Sequence, residues 1–151
     1  MLGRTANGLF WMFRYLERAE NTARLLDAGL RMALTRDHTK AEEEWRSVIR
    51  TAGQRDAFEA KYDDYTGSNV WNFILRDKGN SANILKTFEE VRTNARLVRN
   101  AISSEVWEAV NESWIELQDQ LKRPVAQGNL GKVVAHVRRA GMQVHGAMAG
   151  S

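Results

Sequence analysis

The sequence predicts an all-α protein, an up-and-down helical bundle of six to seven helices. Apolar residues recur at three- and four-residue steps over long segments, which is the spacing of helix faces that pack on a core. The 151 residues include one proline and few of the dipeptides that mark β-hairpins. With 43% hydrophobic residues, a chain of this length can bury a core by itself. We therefore expect a single helical domain over residues 1–151.

The first predicted helix, from about Ala6 to Arg36, is also the longest. One face carries apolar residues at helical spacing and is expected to face the core. These residues are Leu9, Met12, Leu16, Ala19, Ala23, Leu26, Leu30 and Leu34. The opposite face is charged and polar, so the helix is amphipathic.

Shorter helices are predicted next. Thr39 and Glu42 form the pattern of a capping box, which predicts the start of a helix, and Gly53 would end it in a left-handed cap. A further short helix is expected within residues 55–64. Ser68 follows a turn and is expected to cap the apolar segment after it.

Turn-forming residues at 77–81 break the chain near its middle. Ser81 is expected to begin a second long helix that reaches Ile102, and Ser103 would cap the next one. Gly128 precedes the predicted last helix. The two longest predicted helices would supply most of the core. The tryptophans all lie in apolar periodic segments and are expected to be buried. They are Trp11, Trp45, Trp71, Trp107 and Trp114.

Composition excludes several classes of protein. The chain has no cysteine, which rules out disulfides, thiolate metal sites and a cysteine nucleophile and suits the cytoplasm. It lacks an apolar run near the ~18 residues of a membrane helix. Its 22 basic and 19 acidic residues are interleaved, and the net charge is only +3. That pattern disfavours nucleic acid as a partner. We expect a cytoplasmic protein without membrane or nucleic-acid partners.

The sequence offers no catalytic motif. His38, His136 and His145 lack the spacing of a metal site and are interpreted as surface or helix-end residues. The sequence contains no motif of a nucleotide-binding loop or of a nucleophile elbow. We therefore expect no catalytic residues, no metal and no cofactor.

One constellation on the first helix is a candidate site. A polar strip along three turns carries Arg14, Glu17, Arg18, Asn21 and Arg24. A looser polar set on the second long helix carries Arg92, Asn94, Arg96 and Arg99. Three interpretations remain open. In the first, both sets are solvated helix faces with ordinary pairs within each helix. In the second, they meet in a buried network between the two helices. In the third, they bind a partner or an anionic ligand through the forked donors of arginine.

The same residues carry a family resemblance. The segment from Arg14 to Asp27, together with the opening residues 1–12, resembles the bacterial alpha-E domain family, in which Glu17-Arg18 would be the Glu-Arg motif. A second block resembles that family between Asp77 and Asn111. The chain departs from the family pattern at Asn80-Ser81-Ala82-Asn83-Ile84, where members show Asn-Pro-Ser-Ser-Ile. It also departs at Thr93, where they show Glu.

The resemblance implies an uncharacterised helical domain that works with other proteins. Alpha-E proteins resemble accessory partners of ATP-grasp-type ligases and transglutaminase-like proteases in peptide or amide chemistry. Members are typically about twice as long, so the chain would correspond to an N-terminal half, the first half of a two-repeat protein. Such a half is expected to expose apolar surface and to form a homodimer or pack with the second half.

Two functions follow as expectations. The first is a non-catalytic accessory or scaffold domain for an ATP-grasp-type ligase or a transglutaminase-like protein, with the strip on the first helix as its contact surface. The second is a small-molecule binder or an enzyme acting on an anionic substrate. In that case arginines would clamp the substrate, and Glu17 would act as acid or base.

Overall fold

The computed structural model describes residues 2–150, apart from the side chains of Leu2 and His38. Seven α-helices and one 3₁₀ turn make up this part of the chain, which has no strand. The helices are α1 (Leu2–Leu34), α2 (His38–Thr51), α3 (Arg55–Glu59), α4 (Gly67–Arg76), α5 (Ile84–Leu97), α6 (Ser104–Leu121) and α7 (Gln127–Ala149), and the 3₁₀ turn is Arg99–Ala101. The predicted all-α bundle is confirmed.

Four helices form a closed bundle. Helix α1 packs on α5 and α7, and α6 joins these two on the far side, so that each of the four has two neighbours. Contacts of Gly8 with Val98 and of Glu20 with Gly141 show that α1 runs beside the end of α5 and across the middle of α7. The short helices α2, α3 and α4 pack against one another, and α2 and α4 also contact α1.

The core follows the predicted stripe of α1 along most of its length. Met12, Leu16, Ala19, Ala23 and Leu26 are fully buried. Leu9 and Leu30 are half-buried, whereas Leu34 is 63% exposed because the helix ends there and has no neighbour to cover it.

The connection between α6 and α7 is fixed to α4 by hydrogen bonds. The indole Nε1 of Trp71 donates to the Val125 carbonyl oxygen at 2.7 Å. The Val125 amide donates to Oδ1 of Asn72 at 2.7 Å. Buried backbone groups of an irregular segment need partners, and these two side chains supply them.

Several predicted helix starts are displaced. Helix α2 is capped by Asp37 rather than Thr39, α4 by Thr66 rather than Ser68, and α5 by Asn83 rather than Ser81. Each true cap accepts a hydrogen bond from the amide three residues on, the bond that selects Asp, Thr and Asn at this position. The predicted cap at Ser103 is confirmed.

Helix ends and lengths also differ from prediction. The left-handed Gly53 is confirmed, with φ of 69°. Helix α5 stops at Leu97, before the predicted Ile102, because a 3₁₀ turn follows it. The second-longest helix is therefore α7, with 23 residues, instead of α5.

The tryptophans divide into two groups. Trp45, Trp71 and Trp114 are buried as predicted. Trp107 is half-buried, and Trp11 is 39% exposed, with Phe10 edge-on to it at 5.2 Å. The prediction is wrong for Trp11, which lies on α1 just outside the stripe that packs on α5 and α7.

Other large apolar side chains are also exposed, including Leu97 and Met142. The expected homodimer stays a prediction. No helix among residues 2–150 is long and apolar enough to span a membrane.

Candidate functional site

The polar strip of α1, which we call the α1 strip, consists of Arg14, Glu17, Arg18, Asn21 and Arg24. All five residues are exposed. Glu17 pairs with Arg14 within the helix at 4.0 Å, and both side chains are more than half exposed. The Arg24 guanidinium donates to Oδ1 of Asn21 at 3.0 Å. The interpretation of these residues as a buried interhelical network is therefore wrong.

Arg18 differs from the other cations of the α1 strip. Its guanidinium lies over the ring of Tyr15, 5.4 Å from the ring centroid. None of the ion pairs among residues 2–150 includes Arg18, although Arg14 and Arg24 each have a carboxylate partner on their own helix. A guanidinium whose forked donors are uncommitted can bind an external carboxylate or phosphate.

Three adjoining cavities meet at Arg18 and form a groove along α1. The largest, of about 640 Å³, lies between α1, the end of α2 and the turn that follows α4. A second cavity of about 360 Å³ extends toward the start of α5, and a third of about 200 Å³ lies beside the α1 strip. We call this the Arg18 groove. Its wall opposite α1 is formed by Thr51, Ala52, Gln54, Ile74, Asn80, Ser81, Ala82, Lys86, Thr87 and Glu90.

Asp77 anchors the turn that forms part of this wall. Its buried carboxylate receives hydrogen bonds from the Lys61 ammonium, from the Tyr62 hydroxyl at 3.0 Å and from the Gly79 amide at 2.8 Å. Burial opposes ionisation, but these three donors outweigh it and hold the pKa of the Asp77 carboxyl below its ordinary value. The turn is thus held to the segment that follows α3 by a charged, hydrogen-bonded group.

Two buried asparagines complete the turn. Asn80 donates from Nδ2 to the Phe73 carbonyl oxygen at 3.2 Å. Asn83 donates to the carbonyl oxygens of Asp77 and Asn80 and accepts from the Lys86 amide at 2.7 Å. The sequence predicted a break here but missed the role of these residues. The repeated Asp and Asn residues at 77, 80 and 83 could have indicated this role, because their side chains favour hydrogen bonds to the local backbone.

The polar set of α5 lies apart from the α1 strip. Arg92 donates from Nε to Oδ1 of Asn111 on α6 at 2.9 Å. Arg92 and Arg99 both lie over the Trp107 ring, with guanidinium carbons 5.6 and 4.8 Å from its centroid. Asn94 bonds back to the Glu90 carbonyl oxygen within α5.

Arg96 is exposed on the same helix. Positions 92 and 96 lie four residues apart on one face of α5, and Arg99 follows in the 3₁₀ turn. The described contacts of this face are with α6, so the structure does not bring the two predicted polar sets together.

Glu20 lies on the side of α1 that faces α7 and is partly buried. Its side chain is 12% exposed, and its Oε1 lies 3.3 Å from Nε2 of His145. Its Oε2 lies 3.9 Å from Arg24. Sequence reasoning left Glu20 out of the strip, because helical periodicity places it between the polar and apolar faces. It connects the groove-lining Arg24 to α7.

The structure describes the side chains of two of the three histidines, His136 and His145. His136 is buried, with Nδ1 2.7 Å from Oε1 of Gln120 and Nε2 3.2 Å from Glu116, so its interpretation as a surface residue is wrong. His145 is half-exposed and stacks on Phe13. The side chain of His38 lies outside the described part. Within that part, no three His, Asp or Glu side chains are arranged to hold a metal ion.

The fold and this site together define an all-helical domain that exposes a Glu-Arg strip beside a groove. The chain belongs to the Alpha-E family, described as a predicted alpha-helical domain with a conserved ER motif, whose model matches residues 1–151. Glu17-Arg18 is the only Glu-Arg dipeptide in the sequence. No curated protein and no solved structure matches the chain.

Proposed function

We propose that this domain is a non-catalytic accessory domain that presents the α1 strip to a protein partner. The observation that carries the proposal is the exposure of Arg14, Glu17 and Arg18 beside an open groove. A purely structural role for these side chains would not explain the open groove beside them. Uncommitted arginine donors are among the groups most enriched at protein interfaces.

The partner we propose is an ATP-grasp-type ligase or a transglutaminase-like protein that makes or modifies peptide or amide bonds. The family resemblance suggests this partner class. The chain's own residues support a role without chemistry, because Glu17 is solvated and paired with Arg14 instead of being aimed at an enclosed cavity. A general acid or base is expected to have a desolvated environment that tunes its pKa.

Affinity co-purification from the native cells tests the proposal. The tagged wild-type chain is compared with Arg14→Ala/Arg18→Ala and with the matched control Arg31→Ala/Arg123→Ala, which removes two exposed arginines outside the groove. We expect mass spectrometry to identify a ligase or transglutaminase-like protein with the wild type and the control. The strip variant should lose it. Recovery of neither protein, or equal recovery by all three chains, contradicts the proposal.

A second candidate function is favoured by the largest cavity. Its volume of about 640 Å³ lies within the range of small-molecule pockets, and Arg18 and Arg24 line it. A small anionic ligand bound there would make the domain a binder or an enzyme for an anionic substrate. Thermal melts with and without candidate anionic metabolites test this, since a ligand that binds only the folded state raises the melting temperature.

A further inference from the structure

We infer that the Arg18 groove binds an extended acidic peptide segment, with one carboxylate side chain on the Arg18 guanidinium. This inference rests on the proposed function and names the part of the partner that the domain would hold.

The dimensions of the groove favour an extended chain. The cavities follow α1 from Arg14 to Leu25. Eleven residue steps along a helix span about 16 Å at a rise of about 1.5 Å each. Five residues of extended chain, at about 3.3 Å each, cover the same length. A compact anion such as phosphate would fill only the part of the groove around Arg18.

The charges favour an acidic segment with a single anchor. Four cations and two carboxylates line the cavities, namely Arg14, Arg18, Arg24, Lys86, Glu17 and Glu90. Most of the cations have a partner, because Glu17 neutralises Arg14 and Glu90 lies 3.5 Å from the Lys86 ammonium. Arg18 has no ion-pair partner among the described residues, and it is the residue common to all three cavities. An incoming carboxylate is therefore directed to the middle of the groove.

The remaining lining suits a peptide backbone with apolar flanks. Asn21 and Gln54 present side-chain amides, which can both donate to and accept from peptide groups. Leu25 and Ile74 supply apolar surface in the largest cavity. The carboxylates Glu17 and Glu90 at the other cavities would repel a polyphosphate chain, so the lining disfavours nucleic acid.

Nuclear magnetic resonance titration of the isotopically labelled chain tests the inference. The probes are three capped pentapeptides, acetyl-Ala-Val-X-Val-Ala-amide, in which X is Glu, Gln or Lys. We expect the Glu peptide to shift the side-chain amide signals of Asn21 and Gln54 saturably. The Gln peptide should bind about tenfold more weakly, because an uncharged amide replaces the carboxylate and the ion pair with Arg18 is lost. The Lys peptide should not bind.

Two variants control the titration. Arg18→Gln should bind the Glu and Gln peptides alike, whereas Arg31→Gln, on the same helix and outside the groove, should keep the preference. Circular dichroism melts confirm that both variants are folded. Equal binding of the Glu and Gln peptides to the wild type overturns the inference. The inference is also overturned if sodium acetate or inorganic phosphate shifts the same signals at the same concentrations. The groove would then be a site for small anions only.

These outcomes separate the inference from the proposed function. If the strip variant loses its partner in co-purification but no peptide binds, the accessory role stands and the acidic segment is wrong. If the Glu peptide binds through Arg18 but no ligase or transglutaminase-like protein is recovered, the groove stands and the proposed partner is wrong.

Discussion

At the scale of single residues, Glu20 packs directly against Gly141 where α1 meets α7. A Cβ atom on Gly141 would lie 2.4 Å from Cδ of Glu20. The carboxylate occupies this space because it lies between His145 and Arg24 and is almost fully covered. Because Gly141 has only a hydrogen atom as its side chain, the Glu20 carboxylate fits between α1 and α7.

Gly141→Ala is therefore expected to destabilise the protein. Overpacking costs typically about 1–3 kcal/mol, while alanine gains up to about 1 kcal/mol over glycine within a helix. We expect a net loss of about 1–2 kcal/mol in the free energy of unfolding, measured by urea denaturation.

Two comparisons make that measurement specific. Gly131→Ala, also on α7 but with nothing within 4 Å of the new Cβ, should stabilise by about 0.5–1 kcal/mol. Combined with Glu20→Ala, the Gly141→Ala change should also become stabilising, because the clash is gone. If Gly141→Ala stabilises the wild-type background as much as Gly131→Ala does, Glu20 does not limit the approach of the helices.

At the scale of elements, the turn between α4 and α5 matters most for the site. It supplies Asn80 and Ala82 to the groove, and Asn83 fixes it by capping α5 and bonding two backbone carbonyls. Because Asn80 and Asn83 are buried, their hydrogen bonds satisfy backbone groups of the turn that water does not reach.

Replacing Asn83 by Ala is expected to cost about 2–4 kcal/mol of unfolding free energy. The change removes a helix cap, worth roughly 1 kcal/mol, and leaves buried carbonyl groups without their donor, which costs roughly 1–3 kcal/mol. Asp37→Ala removes a cap that is exposed, so it should cost about 1 kcal/mol. Chemical denaturation of both variants checks this, and similar small losses would show that the turn is not held by Asn83.

At the scale of the whole molecule, the buried His136 makes stability depend on pH. Burial lowers its pKa, Glu116 raises it and Arg139 lowers it, and the net shift is downward from the ordinary value of 6.5. The unfolded chain therefore binds this proton more tightly than the folded one. The contribution to stability is complete above pH 6.5 and is lost as the pH falls through the lowered folded-state pKa.

We expect the melting temperature to fall between pH 8 and pH 5, and His136→Gln to reduce that fall. His145→Gln, a change at a half-exposed histidine of the same helix, is the matched control. The lowered pKa of Asp77 acts in a separate window, since its stabilisation is lost only as the pH falls below the ordinary value of 3.8. A pH profile that His136→Gln leaves unchanged would assign the effect to another group.

The sequence by itself determined the fold class and most of the core. Periodic apolar residues on α1 predicted the burial of Met12, Leu16 and Leu26, because burial on a helix depends on spacing that can be read directly from the chain. The sequence left open whether the α1 strip is exposed or buried between helices, and only the packing of the helices showed that it is exposed. Helix caps were less predictable, since Ser, Thr, Asp and Asn compete for a position that depends on one local bond.

The tertiary structure alone decided which polar groups meet. It packed Arg92 and Arg99 against α6 instead of beside the α1 strip, buried His136 of α7 beside α6, and left Trp11 exposed. It also brought Arg18 next to Ser81 and Ala82 of the turn before α5, more than sixty residues away in the chain. Periodicity fixes the direction of a side chain relative to its own helix. The neighbour on that side depends on how the helices pack, which no single helix specifies.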